Sequence, residues 1–326
     1  MKKLLFAICA VATLASCSKD EVVSYDKGEA IGFSNPFVNK ATRADEAVDP
    51  SFGGTNNPLT AFDVWGTANG VAIYRQDEVT GAVGNEEWTC DQKNYWINGA
   101  EYQFAALAPV DLVNVTVTDG LPVAFPFTTN SSADTDLIYA TATATGKASG
   151  ENDPVALTFS HLLSKVKFSV TNASTTATGY SFKITNIKVN GFKSGVAFLS
   201  SIETTPTATA TWETDEEEDE SGDYAVADIT IANGDAAEEC AQELLLIPGS
   251  FDISFWVETY KDDTLVDTKK YDGTETNQGR DKFTKSLAIG TSYNFIINVK
   301  VGDEIKFSVT TNPTWTSAGN GDTLVQ

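Results

Sequence analysis

Leu157-Thr158-Phe159-Ser160-His161-Leu162-Leu163-Ser164-Lys165-Val166-Lys167-Phe168-Ser169-Val170 decides the fold class. Val166, Phe168 and Val170 alternate with Lys165, Lys167 and Ser169. Successive side chains of a strand point to opposite faces, so this period of two describes a half-buried strand. The pattern recurs toward the C-terminus. Phe182 and Ile184 alternate with Lys183 and Thr185, and Tyr293, Phe295, Ile297, Val299 and Val301 alternate with Asn294, Asn298 and Lys300. Ile305, Phe307, Val309 and Thr311 alternate with Lys306, Ser308 and Thr310. Further strand candidates are residues 62–65, 71–74, 95–97, 102–106, 112–117, 137–142, 157–159, 244–247 and 253–258. Beyond Cys17 no segment of useful length carries a helical period. Gly, Asn, Asp and Pro separate the runs at spacings of about 8–12 residues, which predicts an all-β chain of β-sandwiches.

The N-terminus reads as an address. Lys2 and Lys3 precede the apolar stretch LLFAICAVATLA, residues 4–15. A membrane-spanning helix needs roughly 20 residues, so residues 1–16 are expected to be a signal peptide. The stretch ends in Leu14-Ala15-Ser16-Cys17, which looks like a bacterial lipobox. In that motif the cysteine thiol receives a diacylglyceryl group, so Cys17 is the expected lipidation site. Ser18-Lys19-Asp20-Glu21 resembles the surface-display signal of Bacteroidetes-type lipoproteins.

Composition narrows the chemistry. At roughly 150 residues per domain, 326 residues suggest about two domains. A hydrophobic fraction of 41% can fill their cores. Lys plus Arg is 22 against 45 Asp plus Glu, a formal net charge of −23, which repels nucleic acid and anionic lipid. One His and four Cys remove most zinc and His-relay schemes. No metal, cofactor or nucleic-acid partner is expected. The Ser-hydrolase elbow, the P-loop and the H-E-x-x-H motif are all missing from the sequence. Paired carboxylates suffice for a glycosidase, yet nothing singles out a pair among the acids. His161, flanked by apolar residues, reads as a packed, hydrogen-bonded side chain. The six Trp residues fall mostly in strand runs and read as core. Cys90 and Cys240 read as two unpaired, largely buried thiols. Asp215 to Glu220, six acids in a row, read as a solvated loop. A low-hydrophobicity stretch over residues 130–154 puts the domain boundary near its end. The protein is expected not to be an enzyme.

Six segments, in order, resemble the fimbrillin family, the type V pilin subunits of Bacteroidetes-type bacteria. They are Phe62-Asp63-Val64-Trp65-Gly66-Thr67; Tyr95-Trp96 with Tyr102-Gln103-Phe104-Ala105-Ala106-Leu107-Ala108-Pro109; Asp136-Leu137-Ile138-Tyr139-Ala140; the opening stretch at 157–166; Leu246-Ile247-Pro248-Gly249; and Gly290-Thr291-Ser292-Tyr293-Asn294-Phe295, ahead of a last strand closed by Trp315. The resemblance implies two tandem transthyretin-like β-sandwich domains, over residues 44–152 and 153–326. It implies a fimbrial (pilus) subunit at the cell surface, delivered to the outer membrane by its lipid and partnered by other pilin subunits. A tip or accessory adhesin, or a surface lipoprotein that binds a host protein or glycan, is the alternative on the same fold.

The resemblance also gives Thr42-Arg43-Ala44 a role. Related pilins are cut by a trypsin-like protease after an arginine at this place. Residues 30–38, with Ile31, Phe33 and Phe37 on one face, come just before it. Cleavage between Arg43 and Ala44 would remove the lipidated propeptide, residues 17–43, and that strand together. The vacated groove would be filled by β-strand addition from a neighbouring subunit. The candidate donor is Ile305, Phe307 and Val309 with the tail to Gln326, behind a hinge or turn at Gly302-Asp303. The same run also reads as an ordinary strand of its own domain, and for residues 293–301 that is the preferred reading.

Overall fold

Strands with apolar residues on both faces build the N-terminal half. In the computed structural model, which describes residues 28–34, 36–38, 59–81, 88–129, 136–174, 176–202, 208–214, 221–272, 285–302, 306–312 and 323–325, they form a seven-stranded sheet. Its order is Phe37–Val38, Thr158–His161, Ile138–Thr145, Glu101–Ala108, Ala61–Ala68, Val71–Thr80, Thr89–Cys90. Phe62, Val64, Phe104, Ala106, Ile138 and Phe159 face one core. Trp65, Ala105, Leu107 and Tyr139 face another. A sheet covered on both sides needs near-continuous apolar runs, and FDVW and YQFAALA supply them.

The second of these cores lies against a four-stranded sheet of Ala210–Glu213, Ser194–Leu199, Leu121–Thr128 and Thr116–Thr118. That sheet draws strands from both sides of residue 152, and Thr158–His161 pairs with Ile138–Thr145. Hydrogen-bonded ladders therefore cross the boundary expected between residues 152 and 153.

Two six-stranded sheets make the C-terminal sandwich. In one, Ser164–Asn172 pairs in parallel with Ser292–Val299, followed outward by Lys306–Asn312 and Thr323–Val325. Ala237–Glu239 and Leu244–Leu246 pair with the other side of Ser164–Asn172. In the second sheet, Ser221–Val226, Tyr180–Phe192, Gly249–Lys261 and Thr264–Asp272 run in that order, with Ile229–Ile231 and Lys285–Leu287 added. Val166, Phe168, Val170, Phe295 and Ile297 from one sheet meet Phe182, Ile184, Phe251 and Phe255 from the other. The register slips between Thr185 and Lys188, where Asn186 has φ of 50°. That bulge moves the buried set from Phe182 and Ile184 to Ile187 and Val189 without losing the core.

The described residues contain only strands, turns and loops, so the all-β class read from the alternation is the architecture found. Leu121–Thr128, Ser194–Leu199 and Ala210–Glu213 of the four-stranded sheet, and Ser221–Val226 and Ile229–Ile231 of the C-terminal sandwich, are not among the strand candidates, and three further details differ. Residues 112–115 are not strand; pairing there begins at Thr116. Tyr95 makes an isolated bridge to Ala30 rather than a strand of its own. Thr264–Asp272 is solvent-exposed over most of its length, with Leu265 and Val266 among the exposed side chains, so no alternation announced it.

Candidate functional site

Phe37–Val38 is the end strand of the seven-stranded sheet, and residues 29–34 lie between residues 88–96 and Val155. On one side they meet residues 88–96, beyond the Val71–Thr80 strand. The Trp96 N–H donates to the Glu29 carbonyl (2.9 Å), the Ile31 N–H to the Asn94 carbonyl (2.9 Å) and the Trp88 N–H to the Phe33 carbonyl (3.1 Å). On the other side the Val155 N–H donates to the Gly32 carbonyl (2.8 Å) and the Ser34 N–H to the Val155 carbonyl (3.0 Å). Phe37 and Val38 then pair in parallel with Thr158 and Phe159. Residues 29, 31 and 33 bond one way and 32 and 34 the other, as in a strand flanked by two neighbours.

The odd-numbered side chains enter the core. Phe33 is 1% exposed and Ile31 7%. The Phe33 ring meets Phe62 (6.0 Å), Tyr74 (6.0 Å) and Phe104 (6.1 Å) edge-on or nearly so, an arrangement aromatic quadrupoles favour. Trp88 stacks on Phe62 at 5.6 Å. A Cβ on Gly81 would stand 2.4 Å from the Trp88 ring, so only glycine lets that indole lie there. Burial pushes the Tyr74 hydroxyl up to about 12. At about 1.5–3 kcal/mol for each fully buried Ile or Phe, Ile31 and Phe33 hold the segment as firmly as its hydrogen bonds do.

At the head of the segment Glu29 is held by a clasp. Its Oε2 accepts from the Gly150 N–H (2.9 Å), the Asn152 N–H (3.2 Å) and Asn152 Nδ2 (2.7 Å). The Asn152 amide, followed by the two backbone N–H groups, outweighs desolvation and holds the carboxyl below its ordinary value. Asn152 also braces its own loop by donating to the carbonyls of Lys147 (3.3 Å) and Ala148 (3.1 Å).

Ile31 and Phe33 are thus brought to one core, as the sequence required. The Phe37 backbone is paired with Thr158. Phe307 and Val309 lie in Lys306–Asn312, paired opposite Ile297 and Phe295 in their own chain. The expected signal peptide, Cys17, Arg43, Ala44, the acidic run at 215–220, Ile305 and Trp315 lie outside the described residues. His161 is fully buried with its Nδ1 2.5 Å from Asp136 Oδ2, and Asp136 Oδ1 accepts the Leu137 N–H (2.8 Å). That pair braces the passage from Thr158–His161 into Ser164–Asn172. Cys90 and Cys240 are free thiols, each half-buried, and burial pushes the Cys90 thiol up. Trp65, Trp88 and Trp96 are core. Glu29, Gly150, Asn152, Asn94 and Val155 were not legible as site residues. The only trace was an acid two places before Ile31.

The model of the fimbrillin-like family matches residues 42–315. The chain belongs to that family, which places it with fimbrial, cell-surface proteins rather than with enzymes. Sequence comparison with curated proteins finds no match. Solved structures share the fold. A fimbrial protein from Bacteroides vulgatus ATCC 8482 is 14% identical with a TM-score of 0.57, over 89% of this chain and 100% of that one. A candidate cell adhesion protein from Bacteroides uniformis ATCC 8492 is 15% identical with a TM-score of 0.52, over 90% and 99%. A similarly described protein from Bacteroides ovatus ATCC 8483 is 16% identical with a TM-score of 0.51, over 87% and 96%.

Proposed function

We propose that the chain is a structural subunit of a cell-surface fimbrium, made as a lipoprotein precursor through Cys17, cleaved after Arg43 and polymerised by strand exchange. One observation carries this reading: among the described residues, 29–34 lie as an inserted segment hydrogen-bonded to neighbours on both sides, and they come just before Arg43 in the sequence. Removing them leaves the Trp88, Trp96 and Val155 N–H groups and the Asn94 and Val155 carbonyls without their partners. Each such buried group costs roughly 1–3 kcal/mol, and the seats of Ile31 and Phe33 open beside them. A strand from another subunit restores both, and a head-to-tail contact of this kind propagates as a fibre.

The donor proposed is the segment with Ile305, Phe307 and Val309. Lys306–Asn312 and Thr323–Val325 lie at the outer end of their sheet, so they can leave without interrupting the ladder between Ser164–Asn172 and Ser292–Val299. Residues 292–299 lie inside that ladder and are not the donor. The lipid holds the precursor at the outer membrane, and the partners of the mature chain are other fimbrial subunits. Division into sandwiches at residues 44–152 and 153–326, sharing the four-stranded sheet, belongs to this proposal. An adhesin of the same fold, acting on a host protein or glycan, is the second reading, favoured by the cell-adhesion descriptions of two of the similar structures. Mass spectrometry of fibres stripped from cells separates the two. A stalk subunit begins at Ala44 and needs its last twenty-odd residues to extend a fibre. An adhesin that keeps Cys17 and binds its ligand without those residues would contradict the stalk role.

A further inference from the structure

The seat of residues 29–34 specifies its occupant position by position. Position 29 requires an anion, because the Gly150 N–H, the Asn152 N–H and Asn152 Nδ2 all donate to one carboxylate oxygen. Position 30 is exposed beside Tyr95 and accepts any side chain. Positions 31 and 33 are closed apolar seats, filled by Ile and by Phe ringed with Phe62, Tyr74 and Phe104. Position 32 holds Gly, yet a Cβ there would meet only Pro154 at 4.0 Å, so the position does not demand glycine. Position 34 is a half-buried Ser whose Oγ approaches the Val155 carbonyl (3.4 Å).

The required pattern is therefore acid, any residue, Ile, any residue, Phe, Ser. The plug reads Glu29-Ala30-Ile31-Gly32-Phe33-Ser34. The C-terminal region contains Asp303-Glu304-Ile305-Lys306-Phe307-Ser308, with the same residues at the two closed positions and at the half-buried Ser, and an acid at the clasp. Its two unmatched residues, Glu304 and Lys306, fall on the two permissive positions. Beyond Ser34 the correspondence ends, because Pro36 is buried and shifts the parity while the donor goes on alternating.

We propose that residues 303–308 of a second copy of this chain take the seat of residues 29–34 one for one, with Asp303 in the Gly150–Asn152 clasp, Ile305 in the place of Ile31 and Phe307 in the place of Phe33. The inference rests on the strand-exchange reading and adds to it a register and a recognition element. The clasp acts as the register mark. A slip by one residue would turn Ile305 and Phe307 out of the core and their polar neighbours into it. A slip by two keeps the parity but moves the carboxylate away from its donors. The other charged groups at the clasp loop, Lys147, Glu151 and Asp153, are solvated, and Lys147 is paired with Asp153 at 3.3 Å.

Single-cysteine capture tests the register. In a background of Cys9→Ser, Cys17→Ser, Cys90→Ser and Cys240→Ser, Tyr95→Cys chain cut after Arg43 is mixed with uncut chain carrying Glu304→Cys, which would stand where Ala30 bridges Tyr95. A disulfide-linked heterodimer is expected, with little from Lys306→Cys in the same assay. Asp303→Lys in an otherwise unchanged donor should slow assembly by about tenfold, whereas Lys306→Ala should leave it unchanged. If cut chain assembles but Lys306→Cys is captured in place of Glu304→Cys, the register is wrong and strand exchange stands. Assembly unaffected by Asp303→Lys overturns the clasp. A cut chain that never forms higher-order species overturns strand exchange and the register together.

Discussion

The two ends of the described chain both pair with sheet neighbours, the first mostly through isolated bridges, and they are held in opposite ways. Residues 29–34 sit between residues 88–96 and Val155, with hydrogen bonds to each and two side chains in a closed aromatic core. Two short strands extend one edge: Lys306–Asn312 pairs with Ser292–Val299, and Thr323–Val325 continues outward. Removal of the first opens a core; removal of the second exposes a new edge. A segment can be costly to lose and still be replaceable, provided its seat accepts a strand of the same pattern. An edge hairpin supplies such a strand at the least disturbance to its own sheet.

The largest effect expected on this contrast is at Phe33. Phe33→Ala leaves a cavity among Phe62, Tyr74 and Phe104 and should cost the precursor about 3–5 kcal/mol in chemical denaturation. The loss should fall on the N-terminal sheet, with amide protection in Ser164–Asn172 retained. Next is the buried pair at the passage between sheets. Asp136→Asn weakens the contact with His161 and should cost about 1.5–3 kcal/mol, loosening both halves in hydrogen exchange where Phe33→Ala loosens one. Deleting residues 303–326 should leave protection at Ile31, Trp88 and Val155 within a factor of about two. Loss of protection there would mean that the hairpin, too, supports the N-terminal core.

The smallest effect is at the clasp. The folded state lowers the Glu29 carboxyl below its ordinary value, so the clasp stabilises the segment above the ordinary carboxylate range. That contribution is lost as pH falls through the lowered value. Exchange at the Val155 N–H should therefore quicken on acidification more in the native chain than in Glu29→Gln. Equal pH dependence in the two would leave the clasp without a role in holding the plug.

The all-β class and the most apolar strands were legible because those strands are covered on one face or both, while the part-buried Leu121–Thr128 and Ser194–Leu199 were missed. KVKFSV announced itself by alternation and YQFAALA by a continuous apolar run. Strands covered on neither face, such as Thr264–Asp272, gave no such pattern. The crossing of ladders past residue 152 was hidden for another reason, since alternation tells which face a strand buries and not which sheet it joins. Ile31 and Phe33 could be read as one apolar face from their spacing, and it is the family resemblance that suggests this face is detachable. The clasp could not. Two of its three donors are backbone N–H groups of residues 150 and 152, placed by loop geometry some 120 residues from Glu29.

The central claim is that residues 28–38 are an exchangeable occupant, and cleavage after Arg43 in purified precursor tests it most directly. Size-exclusion chromatography with mass spectrometry of each peak should find the fragment ending at Arg43 released, and the remainder, beginning at Ala44, in species larger than one chain. A cut chain that keeps the fragment under native conditions and elutes as a monomer would contradict the account.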